Sequence, residues 1–253
     1  MNTSSKLHFL IMARISTVVF TTACMALSVA VRAEVPTQAT QMEALMELYA
    51  DMHGDEWRIS YNWGKGTDYC GWHDENGDGI TCDENGNVET LVLPARNKAR
   101  GMLSPYIGNL TALRKLEIPG QFLLIGPIPP TILSLQLLET MIFSESSMGG
   151  DVPAAIGELT SLEVIDLGGN LGFSGIFPSV AKLSNLTSLY TWGNQFVGYS
   201  ADNCAKFANL SHCQIGDNPK IGLNHGVDCP VCLNSIEVCH SADWPLKDTC
   251  SAP

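Results

Sequence analysis

The sequence predicts an α/β solenoid: a right-handed superhelix with one parallel β-sheet on its concave face, a helical amino-terminal cap and a disulfide-fastened carboxyl-terminal cap. The first observation behind this prediction is a pattern that recurs every 24 or 25 residues from Val88 onward. The second is that the cysteines beyond residue 33 cluster at the two ends of this array, with none between residues 83 and 203. One unit of this length buries too little apolar surface to fold alone, whereas stacked units share a continuous core. Crossovers between parallel strands are nearly always right-handed.

Each unit opens with an apolar pattern typical of a short strand. The pattern is Leu-x-x-Leu-x-Leu or a close substitute, and its six copies are Val88/Leu91/Leu93, Leu113/Leu116/Ile118, Leu138/Met141/Phe143, Leu162/Ile165/Leu167, Leu186/Leu189/Thr191 and Leu210/Cys213/Ile215. The alternation of the last two positions indicates a strand with one buried side, which Gly or Pro then ends. We therefore expect one inward-pointing row of side chains that includes Leu116, Met141, Ile165 and Leu189.

The second half of each unit is also shared. It reads Gly-x-apolar-Pro followed by an apolar-x-x-Leu turn, as in residues 126–135, 150–159 and 175–183. The first copy, between Gly101 and Leu110, is looser.

The segment before the repeats adds a second motif, made of Trp57, Asn62-Trp63, Cys70-Gly-Trp72, Ile80-Thr81-Cys82-Asp83 and Gly86-Asn87-Val88. Together with the repeats it resembles the plant-specific type of leucine-rich repeats and their amino-terminal cap, which are found in receptor ectodomains and in secreted inhibitors of cell-wall-degrading enzymes. The resemblance covers roughly residues 40 to 220. It implies a leucine-rich-repeat solenoid and a disulfide between Cys70 and Cys82.

The chain departs from the family pattern in two places. About six residues, from Asp74 to Gly79, are inserted in the cap motif. The Asn that ends each strand is present in the later repeats but replaced earlier, in the series Gln121, Ser146, Asn170, Asn194 and Asn218. Because those Asn side chains would hydrogen-bond along the stack, we expect the early repeats to be less regular.

Four segments follow from these patterns: a signal peptide over 1–33, the amino-terminal cap over 34–87, about six repeats over 88–218, and a cysteine-rich carboxyl-terminal cap and tail over 219–253. In the first cap, Thr40-Gln-Met-Glu43 has a capping-box pattern, and apolar residues recur at helical spacing up to Gly54. This stripe predicts a lid over the first repeat, with a partner-binding helix as the alternative.

The first 33 residues have the features of a secretory signal peptide. Lys6 and Arg14 precede an apolar run from Ile15 to Ala30, and Val31-Arg32-Ala33 is a small-x-small cleavage pattern. The run is shorter than a comfortable membrane span, and no second apolar stretch follows. We expect cleavage near Ala33 and a secreted product without a membrane span; an uncleaved anchor is the alternative.

Loss of the leader would leave 11 basic and 26 acidic residues, a net charge of −15. Such a surface repels phosphate backbones and anionic lipid. Nucleic acid is therefore not expected as a partner.

Eight cysteines follow the leader, an even number that suits an exported, disulfide-bonded protein: Cys70, Cys82, Cys204, Cys213, Cys229, Cys232, Cys239 and Cys250. Six remain beyond the pair that the resemblance implies, and their positions favour a bridge between Cys204 and Cys213. Cys229-Pro-Val-Cys232 also invites a redox or zinc interpretation, but the helix start or the four phased ligands that these sites need are not visible. Disulfides are the preferred interpretation, and no cofactor is expected.

The insertion in the cap resembles the start of a calcium loop, because Asp74, Asn76 and Asp78 place oxygen ligands at alternate positions. The apolar residue then comes one place early at Ile80, and position twelve is Asn85 rather than Glu. A turn without metal is the preferred interpretation.

Three glycosylation sequons lie beyond the leader, at Asn109, Asn185 and Asn209. The first two fall at the end of the outer turn, which is solvent-facing in this architecture. Asn209 lies between Cys204 and Cys213, where the geometry of the cap is expected to hinder modification.

Strand residues that flank the buried pair point outward onto the concave face. From the phase of the repeats, the residues expected to contact a partner there are Lys115, Glu117, Ile142, Asp166, Tyr190, Trp192 and His212. Tyr190 and Trp192 form an aromatic patch of the kind that dominates interface energetics. A structural role beneath the carboxyl-terminal cap is equally compatible with the sequence.

No Ser, His and acid arrangement or paired carboxylates indicate catalysis, so we expect a non-enzyme. A rigid curved surface loses little entropy on binding, which favours recognition of a protein or peptide. The resemblance adds a receptor or a secreted hydrolase as partners to expect. The alternatives are a structural surface or adhesion glycoprotein without a single partner and an enzyme that works through Cys229 and Cys232.

Overall fold

The computed structural model describes residues 37–200 and 210–218, together with Asn203 and Lys206. The expected leader and the expected carboxyl-terminal cap lie outside these residues, as do Cys204, Asn209, Cys229, Cys232, Cys239 and Cys250. Within the described part of the chain, no helix is both long enough and apolar enough to cross a membrane.

One α-helix, α1 (Gln38–Asp51), covers the first repeat. Its N-cap is Thr37, whose hydroxyl accepts a hydrogen bond from the backbone N–H of Thr40 at 3.3 Å. The helix therefore begins before Thr40, and the expected capping box at Thr40 is wrong. Leu45 and Leu48 are completely buried, and α1 contacts the 3₁₀ helix Pro105–Asn109 of the first repeat. This packing is that of the predicted lid.

Aromatic side chains fill the amino-terminal cap behind α1. The ring centres of Trp63 and Trp72 lie 5.6 Å apart, and both rings are buried. The disulfide between Cys70 and Cys82 is present and confirms the pairing implied by the family resemblance.

Twelve strands follow the helix within the described residues: β1 (Gly79–Cys82), β2 (Val88–Val92), β3 (Arg100–Met102), β4 (Lys115–Glu117), β5 (Leu123–Gly126), β6 (Thr140–Ile142), β7 (Ser147–Asp151), β8 (Val164–Asp166), β9 (Gly172–Phe177), β10 (Ser188–Tyr190), β11 (Gln195–Tyr199) and β12 (His212–Gln214). Seven of them form the concave sheet, in the order β1-β2-β4-β6-β8-β10-β12. Its strands are parallel except for β1, which pairs with β2 in the antiparallel sense.

The register of this sheet confirms the predicted inward row. Leu116 pairs with Met141, Met141 with Ile165, and Ile165 with Leu189. Each of these four side chains is at most 1% exposed. The repeats therefore share one continuous core, as the period of the sequence predicts.

A second parallel sheet was not predicted. It has five strands in the order β11-β9-β7-β5-β3, formed by the glycine-rich segments in the middle of each repeat. The prediction of a single sheet was therefore incomplete. Many side chains of these strands face solvent, among them Met102, Leu123, Ile125 and Ile176, so the segments lack the polar alternation by which a strand is recognised.

Buried amide side chains connect successive repeats. Asn170 donates to the carbonyl oxygens of Phe143 and Leu167, both at 2.9 Å, and the Met148 N–H donates to Asn170 Oδ1 at 3.1 Å. Asn194 and Asn218 make equivalent bonds.

The two positions at which another residue replaces Asn, Gln121 and Ser146, differ in their hydrogen bonds. Gln121 donates to the carbonyl oxygens of Pro94 and Pro119 at 2.8 and 2.9 Å and accepts from the Ala99 N–H at 3.1 Å. It thus replaces Asn fully, contrary to the expected irregularity. Ser146 makes only a bond from the Gln121 N–H and a long bond to the Ser144 carbonyl oxygen, so the ladder is weaker there.

Candidate binding site on the concave face

The outward-pointing residues of the concave sheet differ widely in their access to solvent. Lys115 and Glu117 are partly exposed and form an ion pair at 3.2 Å, while His212 at the far end is exposed. Ile142 and Asp166 lie in the predicted row but are each only 4% exposed. Ile142 pairs with Asp166, and Asp166 pairs with Tyr190 on the next strand, so these neighbouring side chains shield one another from water. A partner would therefore meet Tyr190 and Trp192, both half-buried, before it met Asp166.

The Trp192 indole lies over the repeat that precedes its own. A Cβ atom added to Gly168 would lie 2.2 Å from the indole Nε1, and one added to Gly169 would lie 2.9 Å from Cη2. The same position at Gly169 is 3.4 Å from Cγ of Glu145, so the far edge of the ring is near that side chain. Two consecutive glycines thus make the surface on which the indole rests. The ring leans away from β12 and the carboxyl-terminal end of the stack.

The Gly168→Ala substitution tests this contact without removing the aromatic ring. Gly168 is not among the glycines with positive φ, so its backbone accepts alanine, but the new methyl group would occupy the space of the indole. We expect a changed near-ultraviolet circular dichroism signal from displaced Trp192 and a stability loss of no more than about 1–3 kcal/mol, the usual cost of overpacking. Gly198→Ala is the matched control, because nothing lies within 4 Å of its added Cβ. An unchanged spectrum for Gly168→Ala would contradict the contact.

Asp166 has unusual electrostatics for a concave-face carboxyl group. Burial raises its pKa to about 7, against the lowering effect of a hydrogen bond from the Gly168 N–H at 3.0 Å. A hydrogen bond from the adjacent Ser144 hydroxyl also lowers the pKa. The charge of Glu145 raises it further. Asp166 is therefore a carboxyl group that carries a proton through the mildly acidic range.

A left-handed backbone position recurs immediately after the concave strands. Glycine occupies it at Gly120, Gly169 and Gly193, with φ of 65°, 68° and 62°. Glu145 and Asp217 occupy the same position with φ of 52° and 53°. A side chain in this region is unfavourable by about 1 kcal/mol relative to glycine, so a carboxylate there is retained against a backbone cost.

Glu145, Asp217 and the Gly168–Gly169 pair were not predicted as site residues from the sequence. The signal for the two acids was available: aligned repeats have glycine at the position in which each acid stands. The role of the two glycines depends on the direction of the Trp192 ring, which the repeat pattern does not specify.

Two of the three predicted glycosylation sites lie within the described residues. Asn109 and Asn185 are exposed, Asn109 as the last residue of the 3₁₀ helix Pro105–Asn109. The Asn185 amide donates to the Thr160 carbonyl oxygen at a long 3.4 Å, so its nitrogen is only weakly engaged. Glycosylation at these positions stays a prediction.

The inserted loop is organised around Asp74. Slight desolvation raises the pKa of Asp74, but hydrogen bonds to Oδ1 from the N–H groups of Asn76 (2.8 Å) and Asp78 (3.0 Å) outweigh it and lower the pKa overall. These hydrogen bonds are those of an ordinary Asx turn. A calcium ion would have to compete with the two backbone N–H donors for Asp74 Oδ1. Within the described residues, no group of three or more His, Cys, Asp or Glu side chains is arranged to hold a metal ion.

Cys213 is disulfide-bonded, and its partner lies outside the described residues. The proposed bridge to Cys204 therefore stays a prediction.

Comparisons with known proteins agree with this architecture. The chain is 31% identical over 118 residues to phytosulfokine receptor 1 of Arabidopsis thaliana, which covers 46% of this chain and 11% of that protein. It is 32% identical over 84 residues to polygalacturonase inhibitor 1 of rice, Oryza sativa subsp. japonica, which covers 32% of this chain and 23% of the inhibitor. The chain thus spans less than a quarter of either relative.

Among solved structures, the leucine-rich-repeat ectodomain of the Arabidopsis thaliana receptor GASSHO1/SCHENGEN3, in complex with CASPARIAN STRIP INTEGRITY FACTOR 2, superimposes with a TM-score of 0.59. The match has 24% sequence identity and covers 70% of this chain and 21% of that one. The chain has the leucine-rich-repeat fold, and its sequence is similar to segments of a plant receptor and a plant polygalacturonase inhibitor. No protein-family model matches it.

Proposed function

We propose that this leucine-rich-repeat chain is an extracellular recognition module that binds a protein or peptide through its concave face, without chemistry of its own. The observation that carries the proposal is the position of Tyr190 and Trp192 on one rigid strand and its following turn. The Trp192 ring rests on the preceding repeat, and both rings stay partly exposed.

Pre-organisation is the physical reason that this surface suits binding. A half-buried aromatic ring brings a large contact area, and it loses little side-chain freedom when a partner covers it. The concave strands are fixed by a buried core and by the ladder of amide hydrogen bonds. Contact with a partner therefore needs little further ordering of this chain.

The relatives support the same class of function. One is named as a receptor and another as an inhibitor of polygalacturonase, and the structural neighbour was solved in complex with an integrity factor. For the present chain, binding of a peptide, a receptor or a secreted hydrolase is part of the proposal, as is export from the cell.

The test is affinity capture from extracellular fluid on the immobilised protein. We expect the native chain to retain one stoichiometric protein, and the Tyr190→Ala/Trp192→Ala variant to lose most of it. The matched control is Phe122→Ala/Leu123→Ala, which removes two side chains that are 56% and 60% exposed near and on the second sheet. This control should retain the partner.

Thermal unfolding of the same variants separates binding from a structural role. If Trp192 is a binding residue, Trp192→Ala should shift Tm by only a few degrees, equivalent to about 1 kcal/mol. A loss of stability several times larger would show that the ring serves the carboxyl-terminal cap. Capture that is indifferent to Tyr190 and Trp192 would instead favour a structural surface glycoprotein.

A further inference from the structure

The charged side chains of the concave sheet are unevenly distributed. In its amino-terminal half, Arg114 pairs with Glu139 and also with Glu89 at 3.4 Å, and Lys115 pairs with Glu117 at 3.2 Å. Each lysine or arginine on these strands therefore already has an acidic partner. From β6 to β12, the concave strands contain no lysine or arginine, and Lys182, in the outer turn before β10, pairs with Glu158.

Three carboxylates of the carboxyl-terminal half have no ion-pair partner within the described residues: Glu145, Glu163 and Asp217. Glu163 and Asp217 are exposed, and Glu145 is partly exposed. Glu163 precedes β8 and Asp217 follows β12, so the two acids lie on either side of β10, which carries Tyr190. Glu145 lies at the far edge of the Trp192 ring. Unpaired negative charge thus lies at both strands that flank β10 and beside the Trp192 ring, with Glu163 just before the start of β8 and Asp217 after the end of β12.

These observations favour one kind of ligand group. An ammonium or guanidinium group is attracted to the face of an indole ring and forms charge-assisted hydrogen bonds with carboxylates. A carboxylate or phosphate would meet three unpaired negative charges here. The overall charge of −12 would also steer a cationic partner toward the protein.

We propose that the carboxyl-terminal half of the concave face, formed by Tyr190, Trp192, Glu145, Glu163 and Asp217, binds a basic protein segment that presents lysine or arginine side chains. The proposal rests on the proposed function and names the chemistry of its partner. The left-handed backbone of Glu145 and Asp217 fits this role, because each acid is held at a position that glycine fills elsewhere in the array.

The test is a fluorescence titration of the full chain with a hexa-arginine peptide whose termini are blocked, at low and at physiological ionic strength. We expect saturable quenching of tryptophan fluorescence, and no change with hexa-glutamate. The Glu145→Gln/Asp217→Asn variant should bind at least about tenfold more weakly, which corresponds to the loss of one good charge-assisted contact. Circular dichroism and thermal unfolding establish that the variant is folded.

The matched control is Glu43→Gln/Glu84→Gln, which changes the net charge equally at two exposed acids of the amino-terminal cap. Its affinity for hexa-arginine should stay within about twofold of the native chain, because diffuse attraction to remote charges is screened by salt. Equal weakening in both variants would overturn the proposal, and so would an absence of binding to the native chain.

Failure of this proposal and failure of the proposed function give different results. If the native chain ignores hexa-arginine while Trp192→Ala still loses its captured partner, the concave face recognises a protein and the cationic chemistry is wrong. If hexa-arginine binds at Glu145 and Asp217 but capture is independent of Tyr190 and Trp192, the site takes cations and the recognition function is wrong.

Discussion

Replacement of Asp166 with asparagine should make the protein more stable at pH 8 and leave its stability nearly unchanged at pH 4. Burial raises the pKa of Asp166 to about 7, from an ordinary value of 3.8. Between these two values, the folded chain holds a proton that the unfolded chain has released. The free energy of unfolding of the native protein therefore decreases as pH rises from about 4 to about 7, and the contribution of Asp166 is fully lost above that range.

The size of the effect follows from the same shift. At about 1.4 kcal/mol for each pH unit, Asp166 alone accounts for a loss on the order of 4 kcal/mol between pH 4 and pH 8. Asparagine keeps the oxygen that accepts the Gly168 N–H bond and cannot ionise. The stability difference between the variant and the native chain should thus grow from near zero to a few kcal/mol.

Denaturant unfolding at one-unit intervals from pH 4 to pH 8 measures this difference directly. The other titrating groups are common to both proteins, so their contributions largely cancel in the comparison. A difference that is the same at every pH would show that the Asp166 carboxyl group does not titrate in this range.

Asn194→Ala should be among the most destabilising single substitutions in the array. The Asn194 side chain is completely buried and donates to the carbonyl oxygens of Leu167 (2.8 Å), Trp192 (3.1 Å) and Thr191 (3.2 Å). Its Oδ1 accepts from the Phe173 N–H at 3.2 Å. Alanine would leave these buried backbone groups without partners, which costs about 1–3 kcal/mol for a group that finds no water.

We expect a loss of about 3–5 kcal/mol in the free energy of unfolding, or a decrease of roughly 10 °C in Tm for a chain of this length. Asn76→Ala is the control, because its side chain makes only a 3.5 Å contact with Asp74 on an exposed loop. That variant should lie within about 0.5 kcal/mol of the native protein. A similarly small effect for Asn194→Ala would mean that water replaces the amide and that the ladder contributes little.

The two aromatic residues of the site illustrate what repeat phase can predict. Tyr190 follows the buried Leu189 and Trp192 follows the buried Thr191, so the alternation of a strand was enough to place both on the concave side. The same rule placed Ile142 and Asp166 there correctly, but it did not predict their burial. Exposure depends on how far the neighbouring side chains reach, and that information is spread over three separate repeats.

The second sheet marks another limit of sequence patterns. Its strands contain glycine at positions such as Gly149 and Gly172, where an added Cβ would lie 2.6 Å from a backbone oxygen of the adjacent strand. Close approach of the chains, rather than an apolar and polar alternation, forms this sheet. The glycines were visible in the sequence as turn signals, although several of them serve strand pairing.

Periodicity alone was sufficient to predict the stack of repeats, the concave sheet and the inward row of Leu116, Met141, Ile165 and Leu189. When every second strand residue of a repeating unit is buried, stacking the units is the one way in which they can share a core. Periodicity did not predict how side chains of one repeat are oriented toward the next. The resting place of the Trp192 ring on Gly168, the proton held by Asp166 and the charge around them arise where residues about 24 positions apart meet, and packing in three dimensions brings them together.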